Sequence, residues 1–494
     1  MLRWSTINIL IKRYRAFPIQ VKASLWFLLC SILQRGISVI TTPIFTRLLP
    51  TADYGQLSVF NSWLDVVSIF VTFRLYYGVF VQGLVKYEDD RACYASSLQG
   101  LELMLCFCWT LVYLMFQDFW NNLFGLTTVQ MLAMLVMIWS TGAFRFWAAE
   151  QRNRLKYRTL VAVTLIVSVL KPVIGIFFVI HADDKVTARI LGLAIAELAG
   201  YSGMFFIQMR RGKQFFSGKY WKHALMFNLP LIPHYLSQTV LNSADRIMIR
   251  DMVGASEAGI YSLAYSISRI MLMFNTALTQ TLMPWIYRKI KAGRPKEIER
   301  IAYPALIVVA GLNLITIAFG PEIVAIFAPA PYYDAIWVIP PVAMSVYFTF
   351  SYSLFSCYEF YFEKTKFIML ASLVGAVLNV ILNYIFIRIF SYYAAGYTTL
   401  TCYILYAIGH FLFMRKVCKE CLNGIKVYDL KWLLSITIVF LTLGFVLLTT
   451  YSYMYLRYSL IAIFLILCVW KRQLVASYAS LLFDVMKNRK KKSP

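Results

Sequence analysis

Apolar runs of about 20 residues recur along this chain, separated by short polar segments. A run of that length crosses the hydrocarbon core of a bilayer as one helix. In hydrocarbon every backbone N–H and C=O must find its partner inside the protein, which leaves helix bundles and closed barrels. Barrel strands would read as alternating segments of about ten residues, a pattern absent here. Composition agrees: residues AVILMFWYC make up 60% of the 494 residues and charged residues 14%, against about 45–50% and about 25% in soluble domains. The expected fold is an all-α polytopic membrane protein.

About fourteen transmembrane helices are expected, near 23–46, 56–84, 92–116, 126–149, 157–181, 187–208, 224–249, 258–287, 302–328, 335–362, 367–390, 394–414, 432–451 and 455–472. With the N-terminus placed on the cytoplasmic side, most of the Lys and Arg fall in cytoplasmic segments: QRNRLKYR at 151–158, RRGKQFFSGKYWK at 210–222, RKIKAGRPKEIER at 288–300, the loop 415–431 and the basic tail at 487–492. Alternation of this kind orients a polytopic chain and predicts an even number of spans with both termini cytoplasmic. The net charge of +25 is assigned to these anchors, and no basic module suited to nucleic acid is evident. Arg3, Lys12, Arg13, Arg15 and Lys22 precede the first long run, which lacks a small-residue cleavage site and leads into further spans. It reads as a span, not as a cleaved signal peptide.

An internal repeat sets the organisation. RLLPTADYGQLS at 47–58 and RDMVGASEAGIYS at 250–262 share an Arg, an Ala, an acidic residue, a Gly and a Ser once one extra residue is allowed. They join the first span to the second and the seventh to the eighth. The repeat is therefore six spans long, and an even repeat keeps both halves in one orientation. This predicts two six-helix lobes related by a parallel repeat, residues 1–210 and 211–422, with a binding cavity between them. Residues 423–494 would add two C-terminal helices and a cytoplasmic tail.

Charges within spans are costly unless they face protein or water, so they are the candidate site residues. Ser31, Arg35, Ser38 and Thr42 share one face of the first span; His234, Gln238, Asn242 and Asp245 one face of the seventh, with Arg246 beside it. Ser262, Ser266, Arg269, Thr276 and Gln280 share a face of the eighth; Thr164, Ser168 and Lys171 lie on the fifth, and Ser372, Asn379 and Asn383 on the eleventh. Asp65, Arg74, Glu102, Arg145 and Glu197 add further charges. Six cations (Arg35, Arg74, Arg145, Lys171, Arg246, Arg269) stand against four acids (Asp65, Glu102, Glu197, Asp245). A cationic cavity suits an anionic substrate, because Arg clamps phosphate oxygens bidentately.

Several of these residues have a plainer reading. Asp245–Arg246 would serve as a capping pair at the outer interface, and Arg74 and Arg145 would snorkel to headgroups from helix ends. Lys171 precedes Pro172 and would satisfy carbonyls freed by a kink. Glu102 and Glu197 would act as proton-coupling carboxylates or as partners of the cations. His234 reads as a packing residue, and Pro230 and Pro233 as a kink or hinge. Most of the nine Cys lie in apolar segments, and Cys418–Cys421 is a C-x-x-C without partner ligands. No cofactor or metal is expected.

The segment TRLLPTADYG at 46–55 resembles the junction of the first two spans in Wzx-type polysaccharide flippases, the O-antigen and capsule repeat-unit exporters of the multidrug/oligosaccharidyl-lipid/polysaccharide exporter superfamily. So does the stretch at 228–287, with P-x-x-P, then NSADR, then AGIYS in that order. The resemblance extends through the span pattern over most of the chain. It implies a two-lobed protein of the bacterial inner membrane, working by alternating access on an oligosaccharide attached to undecaprenyl diphosphate. It further implies that Arg35, with Arg47 twelve residues on, and Arg269 correspond to Arg residues of the related lipid II flippases. Another first-span Arg of those flippases falls near Thr41, where this chain departs. The last two spans resemble those that build a lipid groove there. Membrane lipids, H+ or Na+ as coupling ion, and other polysaccharide-assembly membrane proteins are the expected partners.

Two rivals remain at this point: an ion-coupled drug or cation exporter of the same superfamily, and an integral-membrane polysaccharide polymerase or ligase. A cationic drug would favour an acidic or aromatic pocket. An enzyme of that type would need a large extracytoplasmic loop and a catalytic constellation, and neither is evident.

Overall fold

The computed structural model describes residues 18–470 and residue 473. The expected anchors Arg3, Lys12, Arg13 and Arg15, the tail at 487–492 and the end of the fourteenth span lie outside them. Two compact units are present, Met1–Leu236 and Ser237–Pro494, and the described residues are overwhelmingly helical.

The first unit is built from α1 (Ile19–Leu48), α2 (Thr51–Thr72), α3 (Val79–Lys86), α4 (Arg91–Met115), α5 (Gln117–Phe124), α6 (Thr128–Asn153), α7 (Tyr157–Ile180), α8 (Lys185–Gly212) and α9 (Gly218–Asn228). Local signals set the ends. Thr127 and Gln130 form a reciprocal capping box at the start of α6, and Asp184 accepts from the Thr187 N–H at the start of α8. α8 is the centre of the unit: α4, α6 and α7 all pack along it, and α1 packs on α7. Glycines allow the α7–α8 approach, since a Cβ on Gly192 would lie 2.9 Å from the Gly175 Cα. Glu150 of α6, buried, receives Arg154 at 2.9 Å, Gln208 at 2.8 Å and Arg211. Gln99 donates to Gln208 at 2.6 Å. One buried carboxylate thereby ties α4, α6 and α8 together.

The second unit is built from most of α10 (Ile232–Met252), α11 (Ala255–Lys291), α12 (Glu299–Ala318), α13 (Gly320–Phe327), α14 (Ile339–Tyr361), α15 (Thr365–Phe390), α16 (Tyr393–Cys421), α17 (Leu430–Thr449) and α18 (Met454–Trp470). α14 is its centre, packed on α16, α11 and α12, while α15 lies against α16 and α17 against α12. α15 is turned inside out relative to a soluble helix. Ser372, Asn379 and Asn383 are fully buried, and Leu370, Val374, Val377, Ile381 and Ile385 are exposed. That arrangement suits a solvent of acyl chains, where apolar groups gain nothing by burial and polar groups need partners.

Nine of the described helices are long and apolar enough to cross a membrane, and ten if the bent pair Ala330–Trp337 and Ile339–Tyr361 counts as one span. α2, α10 and α11, at the second, seventh and eighth expected spans, are not among them. The second expected span, 56–84, is a broken element. α2 stops at Thr72, Phe73 and Arg74 adopt φ of 47° and 49°, and α3 begins only at Val79. Two left-handed residues in succession end a right-handed helix. The buried Asn228 side chain donates to the carbonyls of Phe73 at 2.9 Å and Arg74 at 3.0 Å, satisfying groups the break has freed.

Candidate functional site: cations and carboxylates inside each unit

In the first unit the structure separates the candidates into paired and open charges. Lys171 of α7 donates to Glu197 of α8 at 2.5 Å. The second Glu197 oxygen accepts from Thr141 at 2.8 Å, and the ammonium lies 5.5 Å from the Tyr201 ring centre. The Lys171 side chain therefore does not serve the kink at Pro172. Arg189, buried, donates to the Lys171 carbonyl at 3.0 Å and lies 3.8 Å from the Phe45 ring centre. Arg145, exposed, donates to the Tyr76 hydroxyl and stacks over its ring at 4.7 Å. Arg74 sits in the α2–α3 break, 5.3 Å from the Tyr235 ring centre. His234 is half-buried and Asp65 exposed.

Glu102 of α4 is fully buried, and neither carboxyl oxygen has a hydrogen-bond partner. It fits because position 142 on α6 is a glycine: a Cβ there would collide with the carboxyl group. Arg145, on the same helix as Gly142, is within electrostatic reach. Arg35 is an exposed cation on α1 with no hydrogen-bond or ion-pair partner among the described residues. Ser38 is exposed beside it, and the Ser38 carbonyl accepts from Thr42 at 2.9 Å. α1 touches its unit mainly through α7, where Gln34 donates to Ser168 at 3.2 Å, and leaves Arg35 open.

In the second unit α10, α11, α15 and α16 converge on Asp245. It is 1% exposed and accepts from the Tyr261 hydroxyl at 2.7 Å, the Asn383 amide at 2.6 Å and the Thr399 hydroxyl at 3.1 Å. Asn383 also donates to Asn379 at 3.3 Å and accepts from Thr398. Arg246, buried, donates to the Asn242 carbonyl at 2.9 Å and lies 4.2 Å from the Tyr265 ring centre. Asp245–Arg246 is thus no surface capping pair: the carboxylate is the hub of a buried network. Below it on α10, Gln238 donates to Ser372 at 2.9 Å. Arg269 of α11 is exposed, again with no hydrogen-bond or ion-pair partner among the described residues. Ser266 is half-buried and Gln280 exposed.

Helix periodicity found Asp245 and Asn383, but not Tyr261, Thr398 and Thr399, whose polar groups look ordinary in an apolar run. Their sequence signals were the TT pair inside a span and the place of Tyr261 in AGIYS, and neither pointed to a carboxylate partner. Among the described residues no three His, Cys, Asp or Glu stand together as a metal site.

The chemistry open to this arrangement is electrostatic. Exposed guanidinium groups attract anions, and buried carboxyls bind a proton or a small cation. Apolar faces outside and polar stripes inside define a multi-pass membrane protein. The chain belongs to the polysaccharide biosynthesis protein family, whose model matches residues 21–291, more than half of it. The MatE family model matches residues 230–385. An uncharacterized membrane protein of Haemophilus influenzae is 22% identical over 72% of this chain and 88% of its own length. The fold is similar to that of the lipid II flippase MurJ in an inward closed conformation, with TM-score 0.62 and 14% identity over 87% of this chain and 99% of that one. It is also similar to an inward-facing multidrug resistance MATE family transporter of the MOP superfamily, with TM-score 0.58 and 14% identity over 79% of this chain and 96% of that one. The fold is that of a MOP-superfamily transporter.

Proposed function

We propose that this protein flips an oligosaccharide carried on undecaprenyl diphosphate from the cytoplasmic to the periplasmic leaflet of a bacterial inner membrane, for O-antigen or capsule synthesis. The observation that carries this reading is that each unit holds an exposed guanidinium group with no hydrogen-bond or ion-pair partner among the described residues, Arg35 on α1 and Arg269 on α11. Exposed guanidinium groups of this kind on membrane-spanning helices are available to an anion. A diphosphate suits them, because each guanidinium presents parallel N–H donors to phosphate oxygens. Family membership and the likeness to a lipid II flippase support the same substrate class.

Alternating access requires that the site load on one side and release on the other. Arg74 and Arg145 are the further cationic candidates in the first unit, Lys171 there is neutralised by Glu197 and Arg246 in the second unit is buried next to Asp245, while Ser38, Thr42, Gln238, Asn242, Ser266 and Gln280 supply neutral polar groups. Glu102, Glu197, Asp65 and Asp245 are the coupling candidates. Asp245 has an oxygen-rich surround suited to H+ or Na+, and Glu102 has the bare carboxyl suited to H+. Both termini are assigned to the cytoplasm on the charge of the loops. The residues 1–210 and 211–422 are assigned to the two lobes, with 423–494 as an appendage.

The MatE match over 230–385 favours one second reading, an ion-coupled exporter of cationic compounds. Deleting the protein from its host and analysing lipid-linked intermediates separates the two. Undecaprenyl-linked repeat units accumulating on the cytoplasmic face support the flippase. Normal surface glycan with no accumulation, together with raised sensitivity to cationic dyes, supports the exporter.

A further inference from the structure

Within the second unit a second titratable centre lies apart from Asp245. Glu359 of α14 is 0% exposed and His410 of α16 is 1% exposed. The His410 Nδ1 lies 2.9 Å from both Glu359 oxygens, and its Nε2 is buried with no hydrogen-bond partner. Glu359 forms no ion pair with Lys or Arg among the described residues. Aromatic rings close the ring in. Tyr406 lies 4.5 Å, Tyr352 5.5 Å and Phe367 5.5 Å from it, centre to centre. The titratable groups facing the couple are therefore Tyr352 and Cys357 from α14 and Tyr406 from α16, while α15 contributes the apolar Phe367. A polar track leads away from it. The Tyr406 hydroxyl is 2.9 Å from Ser372, which accepts from the Gln238 side-chain amide at 2.9 Å, and one turn on the Asn242 amide donates to the Gln238 main-chain carbonyl at 2.6 Å. Asn242 is three residues from Asp245 on α10. Thr399, which holds Asp245, and His410 lie on the same helix, about 16 Å apart at about 1.5 Å of rise per residue.

We propose that Glu359 and His410 form a proton-binding site in the second unit, loaded and unloaded during the transport cycle. The clause about the cycle rests on the transporter reading above; the proton site itself does not. Nδ1–H is committed to the carboxylate, so Nε2 is the atom that gains or loses the proton. With Nε2 bare the couple carries one negative charge; with Nε2 protonated it carries none. The proton comes from water and returns to water, with no other bond formed or broken. Of the two states, the neutral couple is the one a closed, apolar surround accepts at lower cost. Exchange therefore requires α14 and α16 to part at this level, which links the proton to a change in packing.

The chain has four histidines, so imidazole-labelled full-length protein in nanodiscs gives a resolvable NMR spectrum, with His410→Gln identifying one signal by its loss. The His410 signal is expected to change protonation state across the pH range in which the protein stays folded, and Glu359→Gln is expected to displace or abolish that change. One fixed protonation state across the range, or a titration indifferent to Glu359→Gln, overturns the proton site. In proteoliposomes, both amide variants are expected to flip lipid-linked glycan without response to an imposed pH gradient. An undiminished response overturns the role in the cycle. Absence of flipping in the unaltered protein would refute the proposed function instead, and the NMR result would still decide the proton site.

Discussion

Glu102 and Gly142 illustrate how one residue constrains another in a medium without water. The carboxyl group occupies the space a side chain at 142 would fill. Gly142→Ala is expected to destabilise the detergent-solubilised protein by about 1–3 kcal/mol, the usual cost of overpacking. The Glu102→Ala variant should remove most of that penalty when combined with it, and a thermal melt of the single and double variants checks this. Asp245 poses the opposite case, a carboxylate with three donors. Asp245→Leu leaves the Asn383 amide and two hydroxyl groups without their acceptor and is expected to cost about 1–3 kcal/mol for each buried group left unsatisfied. Equal melting of Asp245→Leu and the unaltered protein would show that the network is not structural. The sequence showed which side chains were expensive to bury but not how each cost was met. Lys171, Glu102 and Asp245 all read as intramembrane charges; only the fold separates an ion pair, a bare carboxyl and a network hub.

At the level of elements, α15 was legible and the α2–α3 break was not. Ser372, Asn379 and Asn383 fall on one helical face by spacing alone, and the structure buries that face. Nothing in FRLYYG (73–78) forbids a helix, so an unbroken span was the natural expectation. The break depends on Asn228, far along the chain, which donates to the carbonyls of Phe73 and Arg74. Asn228→Leu is expected to lower stability by about 1–3 kcal/mol through those two orphaned carbonyls. Arg74→Gly is expected to retain or slightly raise stability, since Gly adopts φ of 49° without the cost of a Cβ. A melt of Asn228→Leu that matches the unaltered protein would mean that the break holds itself. The Glu359–His410 couple was missed for a related reason. Its members lie on different helices, and their stripes, Thr349, Tyr352, Ser356 and Glu359 on one and Thr399, Tyr403, Tyr406 and His410 on the other, are otherwise made of neutral hydroxyl groups that look ordinary in an apolar run.

For the whole molecule, the fold class followed from the medium: a chain this apolar, in runs this long, has few ways to satisfy its backbone. The stretches at 46–55 and 228–287 carried the resemblance to polysaccharide flippases, and the family match now shows the chain to be a polysaccharide biosynthesis protein. Substrate is the part least written in the fold, because the MOP architecture serves both lipid flippases and multidrug transporters. Under the proposed function charge separates the two, above all the exposed guanidinium groups at 35 and 269. The decisive measurement is flipping of a fluorescent undecaprenyl-diphosphate-linked glycan by purified protein in proteoliposomes, comparing the unaltered chain with Arg35→Ala, Arg269→Ala and the two Arg→Lys variants. Loss of at least tenfold in both alanine variants, partial activity with lysine and unchanged melting temperatures are predicted. Full flipping by both alanine variants would contradict the account.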